Sequence, residues 1–373
     1  MVNAEEFLSE FLKLELNHFT GVPDSTLKEW MILLDNNQSV FENRIAANEG
    51  AAIAHAAGYH LATKRVSVVY VQNSGLGNCV SPLTSLTDPE VYSIPLIMVI
   101  GWRGKSGLKD EPQHKKMGAI TVEILDTLDI PYSILNDGTY KEQIESAKIE
   151  AEKNLKPYAL IVEPGFFHST ASEKINSSQV GINREIAIKC IVNSIDVDDL
   201  IVSTTGKASR ELYEVSANNS RGHNNNFYNV GSMGHVSSIG LEIALQKSDR
   251  KVYILDGDGA LIMHMGSLST IGYYQPKNLI HIIFDNESHE STGGQPTTSK
   301  TTNFSEILQG CSYKNVNTIQ SESELSSILL KHHQGLLGIV VKTQVGSRDD
   351  LGRPADTPKT TKIRFMESIV NEK

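Results

Sequence analysis

The 373-residue chain is too long for one comfortable hydrophobic core and suits two domains of ordinary size. A hydrophobic content of 39% with 21% charged residues describes a globular protein and excludes a disordered or fibrous one. The formal net charge of −10 argues against a nucleic-acid partner, which needs clustered Lys and Arg. It leaves an anionic small substrate open, because a few cations in one pocket override the global field.

The N-terminus, MVNAEEFLSEFLKLEL, carries acids where a secretory signal needs a basic start, and no apolar run approaches the ~20 residues of a membrane span. A cytoplasmic protein without a membrane partner is expected. From there, helical patterns alternate with short β-rich runs. A helix at 49–63 precedes the strands VSVVYV (66–71) and IPLIMVIG (94–101), and a helix at 139–154 precedes YALIV (158–162). A helix at 183–195 leads to LIVST (200–204), one at 234–247 to KVYILD (251–256), and one at 260–274 to NLIHIIFD (278–285). A last helix at 322–333 precedes LGIVVKT (337–343). The apolar runs are continuous rather than alternating, as in strands covered on both faces, so the pattern predicts an α/β fold of two doubly wound, mainly parallel sheets.

The clearest seam is the polar, Ser-rich stretch GFFHSTASEKINSSQVGIN (165–183). It divides the chain into a domain at 1–170, a linker at 171–182 and a domain at 183–373. VGSRDDLGRPADTPK (345–359) reads as a loop beyond the last strand, at the sheet edge where ligands of parallel folds sit. Cys79, Cys190 and Cys311 lie far apart with no CxxC pair and no His at metal-binding spacing, so neither a disulfide framework nor a zinc site is indicated.

Chemistry concentrates at the strand ends. Gly257-Asp258-Gly259-Ala260 follows one strand, and the next ends at Asp285-Asn286, so Asp258 and Asn286 place two oxygen donors at one sheet edge. Such donors suit Mg²⁺, which keeps further positions for phosphate oxygens, and the flanking glycines let backbone approach a diphosphate. Read alone, GDG is usually a strand-to-helix turn with an Asp cap. Asn48-Glu49-Gly50 opens an Ala/Gly-rich helix, where Glu49 reads equally as a first-turn acid favoured by the helix dipole. In Gly231-Ser232-Met233-Gly234, a Met between glycines is by itself a loop residue packing into a core.

Together these stretches resemble the thiamine-diphosphate-dependent decarboxylase family. GDG followed by an Asn pair is similar to that family's cofactor motif, with Asp285 in place of the pair's first Asn. NEGAAIAHAAGYHLAT (48–63) resembles the family's glutamate helix. GVPDSTLK (21–28), QNSGLGN (72–78), GWRGKSGLKDEPQHKKMG (101–118), STTGKASREL (203–212), GDGALIMHMGSLSTIG (257–272), HESTGGQPTTS (289–299) and SRDDLGRP (347–354) look like the phosphonopyruvate decarboxylases across nearly the whole chain. There is no room for the middle domain of larger thiamine enzymes.

The resemblance implies a pyrimidine-binding domain followed by a diphosphate-binding domain, with thiamine diphosphate and Mg²⁺ as cofactors. Asp258, Asn286 and the Ser288 carbonyl would hold the metal. Glu49, Thr205, Gly206, Gly231, Met233, Gly257, Asp258, Gly259 and Ala260 would bind the cofactor, with Glu49 activating it and Met233 as an apolar wedge. The cofactor would span two subunits, so the active unit is at least a homodimer. The expected reaction is decarboxylation of 3-phosphonopyruvate to phosphonoacetaldehyde and CO₂, with sulfopyruvate or another 2-oxo acid as the alternative substrate. A phosphonate dianion needs a cationic clamp. Arg103, Lys105, Lys109, Arg348 and Arg353 are the substrate-binding candidates in the two basic loops, and His114, His289 and Glu290 complete the catalytic set with Glu49. Lys207 meets either the diphosphate end or the surface.

Two rival readings fail on the residues. GLGNCV (75–80) lacks the third glycine of a nicotinamide-binding fingerprint, and the next strand closes as VIGW without the acid that would bind ribose. A non-catalytic descendant of a thiamine enzyme would lose Glu49, Asp258 or Asn286, and all three are present.

Overall fold

A computed structural model describes residues 1–168, 180–331 and 335–370. The chain divides into two compact units, Met1–Glu173 with Ser291–Gln295, and Lys174–Glu290 with Pro296–Lys373. Of the expected linker at 171–182, residues 171–179 lie outside the described residues.

The first unit runs α1 (Ala4–Lys13), β1 (His18–Gly21), α2 (Lys28–Asn36), β2 (Glu42–Ile45), α3 (Glu49–Thr63), β3 (Ser67–Gln72), α4 (Leu76–Pro82), β4 (Leu96–Gly101), α5 (Pro112–Thr127), β5 (Tyr132–Ile134), α6 (Tyr140–Asn154) and β6 (Tyr158–Val162). Its strands form one parallel sheet in the order β2-β1-β3-β4-β6-β5. Successive strand residues point to opposite faces, and both faces are covered. Val68 and Tyr70 join Phe7, Phe11, Trp30 and Ile144 on one side. Val69 and Val71 join Ile53, Ala56, Leu76 and Leu125 on the other.

The second unit runs α7 (Arg184–Ser194), β7 (Leu200–Ser203), α8 (Lys207–Ala217), β8 (Asn226–Tyr228), α9 (Val236–Gln246), β9 (Val252–Gly257), α10 (Asp258–Met263), α11 (Ser267–Tyr274) and β10 (Leu279–Asp285). It continues through α12 (Phe304–Gly310), β11 (Asn315–Ile319), α13 (Glu322–Leu329), β12 (Leu337–Lys342) and α14 (Pro358–Val370). The order β8-β7-β9-β10-β12-β11 repeats that of the first sheet position for position, again all parallel. Tyr253 and Leu255 pack with Ile188, Leu212 and Leu325 on one face, and Val252 and Ile254 with Val236, Ile271, Leu308 and Phe365 on the other. The two doubly wound sheets match the expected fold class.

Three local expectations are corrected. The helix expected at 260–274 starts at Asp258 and breaks between Met263 and Ser267, because His264 leaves helical geometry and Gly266 caps a new start. The last of the expected helices ends at Leu329, and residues 332 and 333 of the expected span lie outside the described residues. The loop expected to reach residue 359 ends earlier, because Pro358 opens α14, where its missing N–H costs no helical hydrogen bond.

In each sheet the connections reverse direction between two central strands, β1 and β3 in the first and β7 and β9 in the second. The crevice beyond the carboxyl ends of such strands is where open α/β sheets bind ligands.

Candidate active site

In the first unit, the carboxyl-edge loops gather Asp24, Glu49, Asn73, Asn78 and Arg103. Glu49 is the first residue of α3, whose start is fixed by Asn48: its side-chain oxygen accepts the Ala51 N–H at 2.9 Å. The carboxyl is buried at 7% exposure, with one hydrogen bond from Asn78 Nδ2 to Oε2 at 2.7 Å. Burial raises its pKa, and the Asn78 bond opposes that rise without cancelling it. Gly50 lets α3 approach α4, since a Cβ there would stand 2.8 Å from the Asn78 carbonyl. A buried carboxyl with a raised pKa is thus locked in place at a helix start.

Arg103, just past β4, is preorganised. Its Nε donates to Asp110 Oδ2 at 2.8 Å, Nη2 to Asp110 Oδ1 at 2.5 Å, and Nη1 to Ser25 Oγ at 2.8 Å. The bidentate pair holds Asp110 well below the usual carboxylate range. Asn73 braces the same turn by accepting the Arg103 N–H at 3.0 Å and donating to its carbonyl at 2.8 Å. His114 lies in the first turn of α5, with Nδ1 buried and lacking a hydrogen-bond partner. Burial, reinforced by Arg103, lowers its pKa.

In the second unit, three carboxyl edges meet around the GDG turn. Asp256 caps its own turn by accepting the Gly257 N–H at 2.9 Å, and the buried His281 reaches Asp256 from β10 at 3.4 Å. The register Phe284–Gly257 brings Asp258 and Asp285 to the same level beyond the sheet. Asp258 is 4% exposed, and burial lifts its pKa to about 6 against the pull of Thr297, which donates to Oδ2 at 2.6 Å.

Asn286 follows with its amide fixed at both ends. Oδ1 accepts the Ser288 N–H at 3.0 Å, and Nδ2 donates to Glu290 at 3.2 Å. The turn between them uses Glu287 at φ 58°. Gly206 takes φ 93° at the start of α8, and a Cβ there or at Gly257 would meet nothing within 4 Å. Thr205 accepts the Gly231 N–H at 3.0 Å, and Asn229 donates to the Gly231 carbonyl at 3.1 Å, which shapes the loop carrying the half-buried Met233.

Residues 2–124 match the thiamine pyrophosphate enzyme N-terminal TPP binding domain, and residues 204–333 match the C-terminal TPP binding domain of the same enzymes. Over 99% of the chain and 95% of the relative, the sequence is 33% identical to a phosphonopyruvate decarboxylase of Streptomyces viridochromogenes. The chain belongs to the thiamine-diphosphate-dependent decarboxylase family. A second phosphonopyruvate decarboxylase, from Streptomyces hygroscopicus, is 32% identical over 98% of the chain and 94% of its own length. A sulfopyruvate decarboxylase of Methanosarcina acetivorans is 28% identical over 99% of the chain and 98% of its own length.

The residues present fit the cofactor of this decarboxylase family. The open space beside Gly206 and Gly257 is a cradle that side chains would fill, and Asp258 and Asn286 add hard oxygen donors at its edge. Among the described residues no three His, Cys, Asp or Glu side chains converge on one metal position, so a cation here would draw on amide, backbone and phosphate oxygens.

The other expected site residues fall into distinct settings. His289 packs against Gly259, where a Cβ would stand 2.9 Å from its ring, and burial pushes its pKa down to about 4. Glu290 is held by Arg184 at 2.8 Å and Lys207 at 2.7 Å. Burial works to raise its pKa, but the two cations win and hold it below the usual range. Lys207 therefore meets Glu290. Lys105 pairs with Glu163 and lies over the Trp102 ring, while Lys109 and Arg353 are exposed. Arg348 is bound by Glu185, Glu214 and Asp350, which tie its loop to α7 and α8.

Several residues escaped the motif reading. Asp24, in the loop three residues past β1, is fully buried with both carboxylate oxygens lacking a direct hydrogen-bond partner, and burial raises its pKa to about 6. Thr297 and Ser299 serve Asp258, and Lys342 serves Asp285. Asp24, Asn78, Thr297 and Ser299 all sit inside strings quoted for the family resemblance, so the signal was present without a role attached. Lys342 had no signal beyond its place at a strand end.

Proposed function

We propose that this chain decarboxylates 3-phosphonopyruvate to phosphonoacetaldehyde and CO₂, using thiamine diphosphate and Mg²⁺. The end-to-end match to two phosphonopyruvate decarboxylases carries the reading of the substrate. Asp258, Asn286 and the Ser288 carbonyl would hold Mg²⁺ against the diphosphate. Thr205, Gly206, Gly257, Gly259 and Ala260 would line the diphosphate end, and Gly231 and Met233 would hold the pyrimidine. When bound, thiamine diphosphate supplies the electron sink that accepts the pair released with CO₂.

The chain's own residues then divide the remaining work. Glu49, whose carboxyl is shifted toward the protonated form by burial and braced by Asn78, would hydrogen-bond the pyrimidine nitrogen of the bound cofactor. Arg103, fixed by Asp110, offers a planar cation to the phosphonate, so ordering it at binding costs little side-chain entropy. Burial disfavours the charged form of both His289 and His114, so each would act as a neutral imidazole that orients or relays a proton and does not store one. Glu290, ionised between two cations, suits orienting the Asn286 amide better than delivering a proton. The two half-sites would be completed by self-association into at least a homodimer.

No helix among the described residues is long and apolar enough to cross a membrane, and Cys79, Cys190 and Cys311 are free thiols, so we place the enzyme in the cytoplasm. A panel of phosphonopyruvate, sulfopyruvate and pyruvate, read by CO₂ release, tests the substrate. The sulfopyruvate reading rests on the Methanosarcina relative, and faster turnover of sulfopyruvate would decide in its favour.

A further inference from the structure

Asp285 stands where the family motif places the first Asn of its pair, and it brings a full negative charge to a buried position at 2% exposure. On the neighbouring parallel strand its register partner is Lys342, and Lys342 Nζ lies 2.6 Å from Asp285 Oδ2. The other oxygen, Oδ1, lies 2.8 Å from the Ser299 hydroxyl, which also stands 3.1 Å from Asp258 Oδ2. One hydroxyl proton serves one carboxylate at a time, so the two acids share a single donor while Thr297 adds a second donor on Asp258. The result is a continuous line, Lys342–Asp285–Ser299–Asp258, ending at a candidate metal ligand.

We propose that Asp285 and Lys342 set the charge of the divalent-cation site: Asp285 backs Asp258 with a second carboxylate, and Lys342 neutralises it so that the metal-free site stays folded. This rests on the reading of Asp258 as a metal ligand. Two like charges sharing one donor in a poorly solvated place repel strongly, and the repulsion is relieved either by the lysine or by a bound cation. The lysine therefore competes with the metal for the field of Asp285. A neutral Asn at position 285 keeps an acceptor for Ser299 but removes the charge that draws the cation.

The lysine side chain borders a cavity of about 300 Å³ lined also by Lys300, Asn303, Phe304 and Thr318, so a Met in its place has room without disturbing the core. Removing the ammonium should tighten the metal and destabilise the metal-free protein. Removing the Asp285 charge should weaken the metal, and removing both charges should return affinity close to the starting value.

The test is calorimetric titration of Mg²⁺ into the full-length protein holding saturating thiamine diphosphate, paired with melting curves taken without metal. Lys342→Met should bind Mg²⁺ about tenfold more tightly and melt at a lower temperature when metal-free, and Asp285→Asn should bind about tenfold more weakly. Asp285→Asn/Lys342→Met should match the parent within about threefold. Weaker Mg²⁺ binding in Lys342→Met, or unchanged binding in Asp285→Asn, overturns the proposal. Asp258→Ala separates the two levels: retained Mg²⁺ binding in that variant removes the metal site itself and the inference with it, whereas its loss with wild-type affinity in the other variants defeats the charge pair alone.

Discussion

Gly75 stands directly against Glu49: a Cβ at position 75 would lie 2.4 Å from Glu49 Oε1 and 2.5 Å from its Cδ. The carboxyl proposed to activate the cofactor thus keeps its position because the facing backbone has no side chain. Gly75→Ala should fold, because its backbone φ of −81° is open to any residue. It should nevertheless displace Glu49 and lower kcat about a hundredfold, as misplacement by about 1 Å can. Unchanged circular dichroism with near-normal kcat would show that Glu49 does not need this seat.

Glu49→Gln should retain thiamine diphosphate while exchanging the cofactor's C2 proton far more slowly, because the amide cannot supply the acid's proton. Exchange followed by proton magnetic resonance after acid quench checks this, and unimpaired exchange would remove Glu49 from its proposed role. Sedimentation of the active protein at assay concentration checks the homodimer.

Asp258→Ala should abolish metal-dependent binding of thiamine diphosphate without unfolding the second unit. The variant removes a buried carboxylate that repels Asp285, so without metal it should melt no lower than the parent, although the Thr297 and Ser299 hydroxyls lose an acceptor. Titration calorimetry showing parental cofactor affinity would sink the assignment.

Arg103→Ala should raise KM for phosphonopyruvate about ten- to a hundredfold, matching the ~1.5–3 kcal/mol of one charge-assisted bond, and raise KM for pyruvate much less. Asp110→Asn should shift the same ratio in the same direction by a smaller factor, because it loosens Arg103 without removing it. Equal effects on both substrates would assign the phosphonate clamp elsewhere.

Asp24 gives a pH signature of stability in the metal- and cofactor-free protein. Burial raises its folded-state pKa from the ordinary 3.8 to about 6. Between those values the folded state binds more protons than the unfolded one, so stability falls as pH rises, and the loss is complete above about pH 6. Asp24→Asn removes this slope and should gain on the order of 2–3 kcal/mol at pH 7 relative to pH 3. Urea melts of both proteins at the two pH values provide the check. A parallel pH dependence in parent and variant would mean that Asp24 is not held protonated by burial.

The seven apolar strands were legible in sequence because central strands of a doubly wound sheet bury both faces and need unbroken runs of Val, Ile and Leu. The four edge strands, β2, β5, β8 and β11, went unread for the converse reason. Edges are partly solvated, so ENRI, YSI, NFY and NVNTI carry polar residues and are short. The central β1, HFTG, is fully buried yet too brief to register.

At the candidate site, the sequence by itself placed Glu49 at a helix start and Asp258 and Asn286 at strand ends, because turn chemistry is local, and the family resemblance supplied their proposed roles. What holds them was decided by tertiary structure alone. Asn78 meets Glu49 across two helices, Lys342 meets Asp285 across two strands, and Arg184 and Lys207 meet Glu290 from two different helices. Tertiary structure also settled which charged loop residues are already committed: Arg348 to three carboxylates and Lys105 to Glu163, with Arg103 anchored yet still facing the buried Asp24 region. A charge in a sequence reports its sign, but its availability depends on the partner that the fold brings within reach.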